Sequence, residues 1–159
     1  MGVDIHILTE RWAGETEDDW VIADYYDFEG CRISAWEGRS SVMFDYLLSK
    51  KEITGILESK PSKALIDLLK EYPSSYGITS VNLLKFYNTL KVDVERLIIE
   101  LPSFDSVKGI DTMYLLVCLS SLMEGVTNSF QYFFGPSTDI ETAVKGFGSH
   151  FRVNYFFER

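Results

Sequence analysis

The sequence predicts an α+β fold: an antiparallel sheet from an N-terminal hairpin and a C-terminal strand, with a helical middle packed on one face. Three observations carry that expectation. The opening Gly2-Val3-Asp4-Ile5-His6-Ile7-Leu8-Thr9-Glu10 alternates at period two, the closing His150 to Glu158 does the same, and from Ser40 onward the period changes to that of amphipathic helices. Runs of strands separated from runs of helices are the pattern of segregated sheet and helix layers.

In the first strand Val3, Ile5 and Ile7 share one face and Asp4, His6 and Glu10 the other. An acidic turn at residues 13–19 leads into Trp20 to Tyr25, which makes an antiparallel hairpin. After a turn at Asp27-Phe28-Glu29-Gly30, a third short strand is placed over Cys31 to Trp36. Ser40 or Ser41 caps a helix to about Lys50, and Pro61 opens another through Leu65, Leu68, Leu69 and Tyr72 that Pro73 stops. Ser80 caps a third with Leu83, Phe86, Tyr87 and Leu90 inside, and a fourth carries Val94, Leu97, Ile98 and Leu101 before Pro102. Asp111 caps a more uniformly apolar helix that Gly125 ends, and residues 126–136 read as a strand or an aromatic loop. Thr138 and Glu141 have capping-box spacing for a short helix ended by Gly146. The last strand puts Phe151, Val153, Tyr155 and Phe157 on one face and His150, Arg152, Asn154, Phe156 and Glu158 on the other. Pairing of the two terminal strands in the sheet centre would set Asp4, His6 and Glu10 beside Arg152, Asn154 or His150.

At 159 residues the chain is expected to be one domain, with 46% hydrophobic residues to fill its core. Fifteen basic against 24 acidic residues give a formal charge of −9, which opposes non-specific binding to nucleic acid or anionic lipid. Cys31 and Cys118 lack metal-type spacing and read as reduced thiols, with Cys118 in an apolar run and inert. No basic segment precedes an apolar core near Met1, His6 stands where a myristoylation motif wants Ser or Thr, and Tyr114 to Leu119 is too short an apolar run to span a bilayer. A cytoplasmic protein without a membrane segment is the expectation.

The two ends together resemble a group of small phage and prophage proteins that open M-G-C-D-I-H, with a Glu four residues after the His, and close on a strand like V-R-I-V-F-W-F-D-N. Met1-Gly2-Val3-Asp4-Ile5-His6 with Glu10, and Arg152-Val153-Asn154-Tyr155-Phe156-Phe157-Glu158-Arg159, carry the likeness. Val3 replaces the usual Cys, and Pro73 to Gly77 lacks the His residues that the family has before a mid-chain helix. The resemblance implies a phage gene acting in an infected bacterial host rather than a particular activity. By analogy of genome context it suggests a counter-defence protein, some of which hide nucleotide signals of bacterial immunity.

The chemistry of single residues narrows the rest. Asp4-x-His6 also opens the metallophosphoesterase pattern, but His6 and His150 are the only histidines, too few for a dinuclear site. A mononuclear metal-dependent hydrolase using Asp4, His6, Glu10 and His150 is the alternative. Neither a Gly-x-Ser-x-Gly elbow nor a phosphate-binding loop appears. Arg32, Arg39 and Arg152 stand out in so acidic a chain, because a guanidinium forks onto phosphate oxygens while rings such as Trp36 stack on bases. The segment Cys31 to Ser41 supplies two Arg, Trp36, hydroxyls and a helix N-terminus.

The expected function is therefore sequestration of a small nucleotide-type ligand without chemistry, metal or cofactor, through Asp4, His6, Arg32, Trp36, Arg39, Arg152 and Asn154. Against each residue stands a plainer role. Asp4 and His6 can be a structural pair, Arg32 and Arg39 can pair with surface carboxylates, and Trp36 can fill the core. The aromatic run Phe130 to Phe134 reads as core or a subunit contact, and a homo-oligomer is expected. A third reading is an acidic inhibitor that binds the basic surface of a host enzyme.

Overall fold

The computed structural model of the chain describes residues 2–14, 19–22, 25–26, 32–33, 36–53, 62–101, 107–135 and 137–159. Cys31, the turn at Asp27 to Gly30, Pro61, Pro102 and the side chain of Arg32 lie outside the described residues. The elements in chain order are strands β1 (Asp4–Trp12), β2 (Trp20–Ile22), β3 (Tyr25–Tyr26), β4 (Arg32–Ile33) and β5 (Trp36–Arg39), helices α1 (Ser41–Ile53) and α2 (Lys63–Leu69), strand β6 (Ser75–Asn82), helices α3 (Leu83–Ile99), α4 (Val107–Phe134) and α5 (Ile140–Phe147), and strand β7 (Phe151–Glu158).

An antiparallel sheet of five strands runs β2-β1-β7-β6, with β5 pairing β1 beside β2; β3 and β4 form a separate two-stranded ladder. The terminal strands are central neighbours, as the alternation predicts, with Asp4 opposite Glu158, His6 opposite Phe156 and Glu10 opposite Arg152. The predicted third strand is divided: its beginning joins the small ladder and its end, Trp36, opens β5.

Period-two alternation gives the sheet two different faces. Ile5, Ile7, Val153, Tyr155 and Phe157 meet Met43 and Leu47 of α1, Leu83, Phe86 and Leu90 of α3, Leu119, Leu122, Val126 and Phe130 of α4 and Val144 of α5 in one buried cluster. On the opposite face Leu8 and Phe156 meet Leu65, with Leu68, Leu69 and Tyr72 packed alongside. Four helices thus cover one face, and the short α2 lies across the other.

Local chemistry explains the boundaries. The Ser40 hydroxyl accepts from the Met43 amide at 3.1 Å, and Ser62 accepts from Leu65 at 3.0 Å, which caps α1 and α2. Residues 75–82, without apolar alternation, form an edge strand, and the cap of α3 is Asn82, which accepts from Lys85, rather than Ser80. At the irregularity between Tyr76 and Thr79, Gly77 has φ +65°, and a Cβ there would lie 2.7 Å from the Phe157 ring. The two helices expected over 83–101 are one, because Leu83, Phe86, Tyr87, Leu90, Val94 and Leu97 continue one stripe. α4 runs through Gly125 to Phe134, so the aromatic run is helical, and Gly135, at φ +112°, supplies the terminating residue. By length and composition Gly109–Gln131 is long and apolar enough to cross a membrane, but one side of it is packed on the sheet. The cap of α5 is Asp139, one residue later than expected, and Glu141 instead pairs with Lys91 of α3 at 2.8 Å.

Candidate functional site

The polar face of β1 divides into two sites at its two ends, at Asp4 and at Glu10. At its C-terminal end Glu10 is fully buried and sits at the centre of a hydrogen-bonded network. One carboxylate oxygen accepts from Arg152 Nε at 3.0 Å and from the Asn154 side-chain amide; the other accepts from the Ser62 hydroxyl. Ser80 on β6 donates to the Asn154 carbonyl oxygen. Arg152 also lies 4.3 Å beneath the Trp20 ring, a cation–π contact that covers its guanidinium. Three strands and the cap of α2 are thereby joined through one carboxylate. Burying Glu10 would be costly without these charge-assisted partners, and register supplies them.

At the N-terminal end Asp4 and Arg39 face each other across β1 and β5, and Arg39 Nε donates to Asp4 Oδ1 at 2.8 Å. Their side chains are 37% and 60% exposed. The Arg39 guanidinium holds the Asp4 carboxyl below its ordinary value of 3.8, and Asp4 in turn raises Arg39. The Arg39 chain lies against Gly2, where a Cβ would come within 2.1 Å of its Cδ.

His6 stands between the two sites. Its Nδ1 is 2.8 Å from Glu37 on β5, and its Nε2, buried and without a hydrogen-bond partner among the described residues, is 3.7 Å from Glu158 on β7. The ring stacks on Phe156 at 4.8 Å and tilts against Tyr72 at 4.7 Å. Two carboxylates from the flanking strands therefore face one imidazole.

The structure brings Asp4, His6 and Arg39 together and places Arg152 and Asn154 in the Glu10 network instead. Trp36 pairs with Ile7 on the core face, on the opposite side of β5 from Arg39, and packs against the main cluster. His150 lies near Trp12 at 6.3 Å, past the far end of the Glu10 network, so Asp4, His6, Glu10 and His150 do not converge. Among the described residues no group of three or more His, Cys, Asp or Glu side chains could hold a metal ion. Burial raises the Cys118 thiol, as its apolar surroundings predict.

No family model matches this chain, and no curated protein or solved structure is similar to it. Ser62, Glu37 and Glu158 carry no site role in the sequence pattern, and Ser80, which has the spacing of a helix cap, donates to Asn154 instead. Glu37 lies on the Arg39 side of β5, a placement that follows from alternation only once the bounds of that strand are known.

Proposed function

We propose that the protein binds and sequesters a small nucleotide-type ligand at the open end of its sheet, where Arg39, Asp4, His6 and Glu37 share one face. The observation that supports this reading is the exposed Arg39, a cation held in place by Asp4 yet open to an incoming anion. In this arrangement Arg39 receives a phosphate, and the carboxylates of Asp4 and Glu37 accept hydrogen bonds from ribose hydroxyls or base amino groups. The likeness of both terminal strands to small phage proteins favours an immune signal of the infected cell as the ligand, and no bond is made or broken in holding it.

The test is incubation of the purified chain with a panel of cyclic oligonucleotides and cyclic ADP-ribose isomers, followed by separation, heating and assay of what is released. Recovery of one compound intact, and its loss from an Arg39→Ala variant that melts like the parent, is the expected result. Conversion of a compound to product would make the protein an enzyme, and compounds that all stay free would overturn ligand binding in favour of a protein partner.

A further inference from the structure

Of the side chains on the open face, His6 is too enclosed to touch a ligand. It is 8% exposed, packs against the Phe156 and Tyr72 rings, and has its Nε2 sealed from solvent. Its surroundings fit a smaller guest. Nδ1 is 2.8 Å from Glu37, an acceptor, so Nδ1 carries a hydrogen. In the neutral ring Nε2 then keeps a buried lone pair, with a second acceptor, the Glu158 carboxylate, 3.7 Å away and no hydrogen-bond donor among the described residues. A buried acceptor left unpaired is costly. One more proton turns Nε2 into a donor, and Glu158, at a strand end and 22% exposed, has to move less than about 1 Å to accept from it. We propose that His6 is a proton-operated clasp: protonated, it joins Glu37 of β5 to Glu158 of β7 across β1 and strengthens the grip of the open face on an anion.

Charge ties the clasp to the ligand. Among the described residues the charged groups around the imidazole are Asp4 on β1, Glu37 and Arg39 on β5 and Glu158 on β7, and Tyr72 is the further titratable side chain packed on it. Three carboxylates against one guanidinium leave this face at −2, which opposes a phosphate despite Arg39. A proton on His6 halves that excess. Its charge reaches past its own contacts: the Asp4 carboxyl, held low first by the Arg39 hydrogen bond, is lowered further by His6. Imidazole is the only side-chain type here that changes charge between about pH 5 and 8, so the face holds anions more tightly on the acid side of neutrality. By linkage, a bound phosphate draws the proton onto His6. The choice of a phosphate-bearing ligand rests on the sequestering role proposed above, whereas the clasp belongs to the chain alone.

Nitrogen-15 NMR of the full chain from about pH 5 to 8 reads the ring without any ligand. The ring should be doubly protonated at the acid end. At the alkaline end it should be neutral with its hydrogen on Nδ1, the reverse of the tautomer that free histidine prefers. Sulfate, whose charge is constant over this range, tests the coupling. Followed through the Arg39 guanidinium signals, it should bind about tenfold more tightly at the acid end. His6→Gln should remove that dependence, and His150→Gln, past the far end of the Glu10 network, should keep it. Should His6→Gln misfold, Glu158→Gln decides: its side-chain amide donates to the neutral Nε2 and should flatten the dependence. A ring that stays neutral throughout, a neutral ring with its hydrogen on Nε2, sulfate binding equal at both ends, or a dependence untouched by Glu158→Gln would each overturn the clasp. Sulfate that binds at neither end would overturn its coupling to anions, while the sequestering role itself falls only if the nucleotide panel also stays free.

Discussion

The two ends of the polar face of β1 start from the same sequence device, an acid on an alternating strand with an Arg opposite, and arrive at different physics. Glu10 and Arg152 lie under α2 and the Trp20 ring, with the acid's oxygens taken by protein donors. Asp4 and Arg39 make a shorter contact, 2.8 Å against 3.0 Å, yet stand in water. Solvent decides what each pair contributes. An exposed pair is screened and adds little to stability, while a buried pair is neutral as a whole but severe to break. A carboxylate that is sealed and saturated organises the fold; one that is open can exchange its partner.

The largest expected effect tests the sealed end. Glu10→Ala leaves Arg152 buried without its acid and should cost about 3–5 kcal/mol in urea unfolding, whereas replacing Glu10 and Arg152 together by Met should recover most of that loss. If the double variant is as damaged as the single one, the network rather than the orphaned charge carries the cost. Ser62→Ala removes both a donor to Glu10 and the cap of α2, and a loss of about 1–2 kcal/mol is expected by the same measurement.

Smaller effects belong to the open end. Arg39→Ala should leave the thermal midpoint unmoved, and a fall as large as that of Ser62→Ala would erase the contrast. In that variant the Asp4 carboxyl, followed by its NMR titration, should move up toward its ordinary 3.8. The sign follows from the lowered value: Asp4 adds its small stabilisation above the ordinary carboxylate range and loses it as pH falls through the depressed folded value. The parent should therefore show a slightly steeper loss of stability with acid than Arg39→Ala.

The alternation of β1 and β7 made the central pairing and its two faces legible, and Ser40 marked the start of α1. Register was not legible: whether Arg152 would meet Glu10 or an incoming ligand depends on which residue of β1 it opposes. β6 escaped because Ser75, Gly77, Thr79 and Ser80 resemble turn and cap residues. As an edge strand it is held by backbone pairing with β7, and its Ser80 side chain serves Asn154. The aromatic run at 130–134 was ambiguous because rings favour strands; it continues α4, and Phe130 packs on Phe151 at 4.7 Å. Trp36 could be assigned to the core once alternation along β5 was known, and only the structure shows where β5 begins.

The central position of β7 also sets the order in which the molecule can be assembled. Glu10 and Arg152 are 142 residues apart in sequence, and β7 lies between β1 and β6, which pair through it. On the ribosome, β1 and β6 wait with an open edge, and Glu10 waits in water, until almost the whole of this segment has been synthesised. Loops of that length close late, so the joining of β1 to β6 through β7 is expected to be a slow, late step that follows the local pairing of β1 with β2 and β5, with the open edges exposed to aggregation or chaperone capture until then.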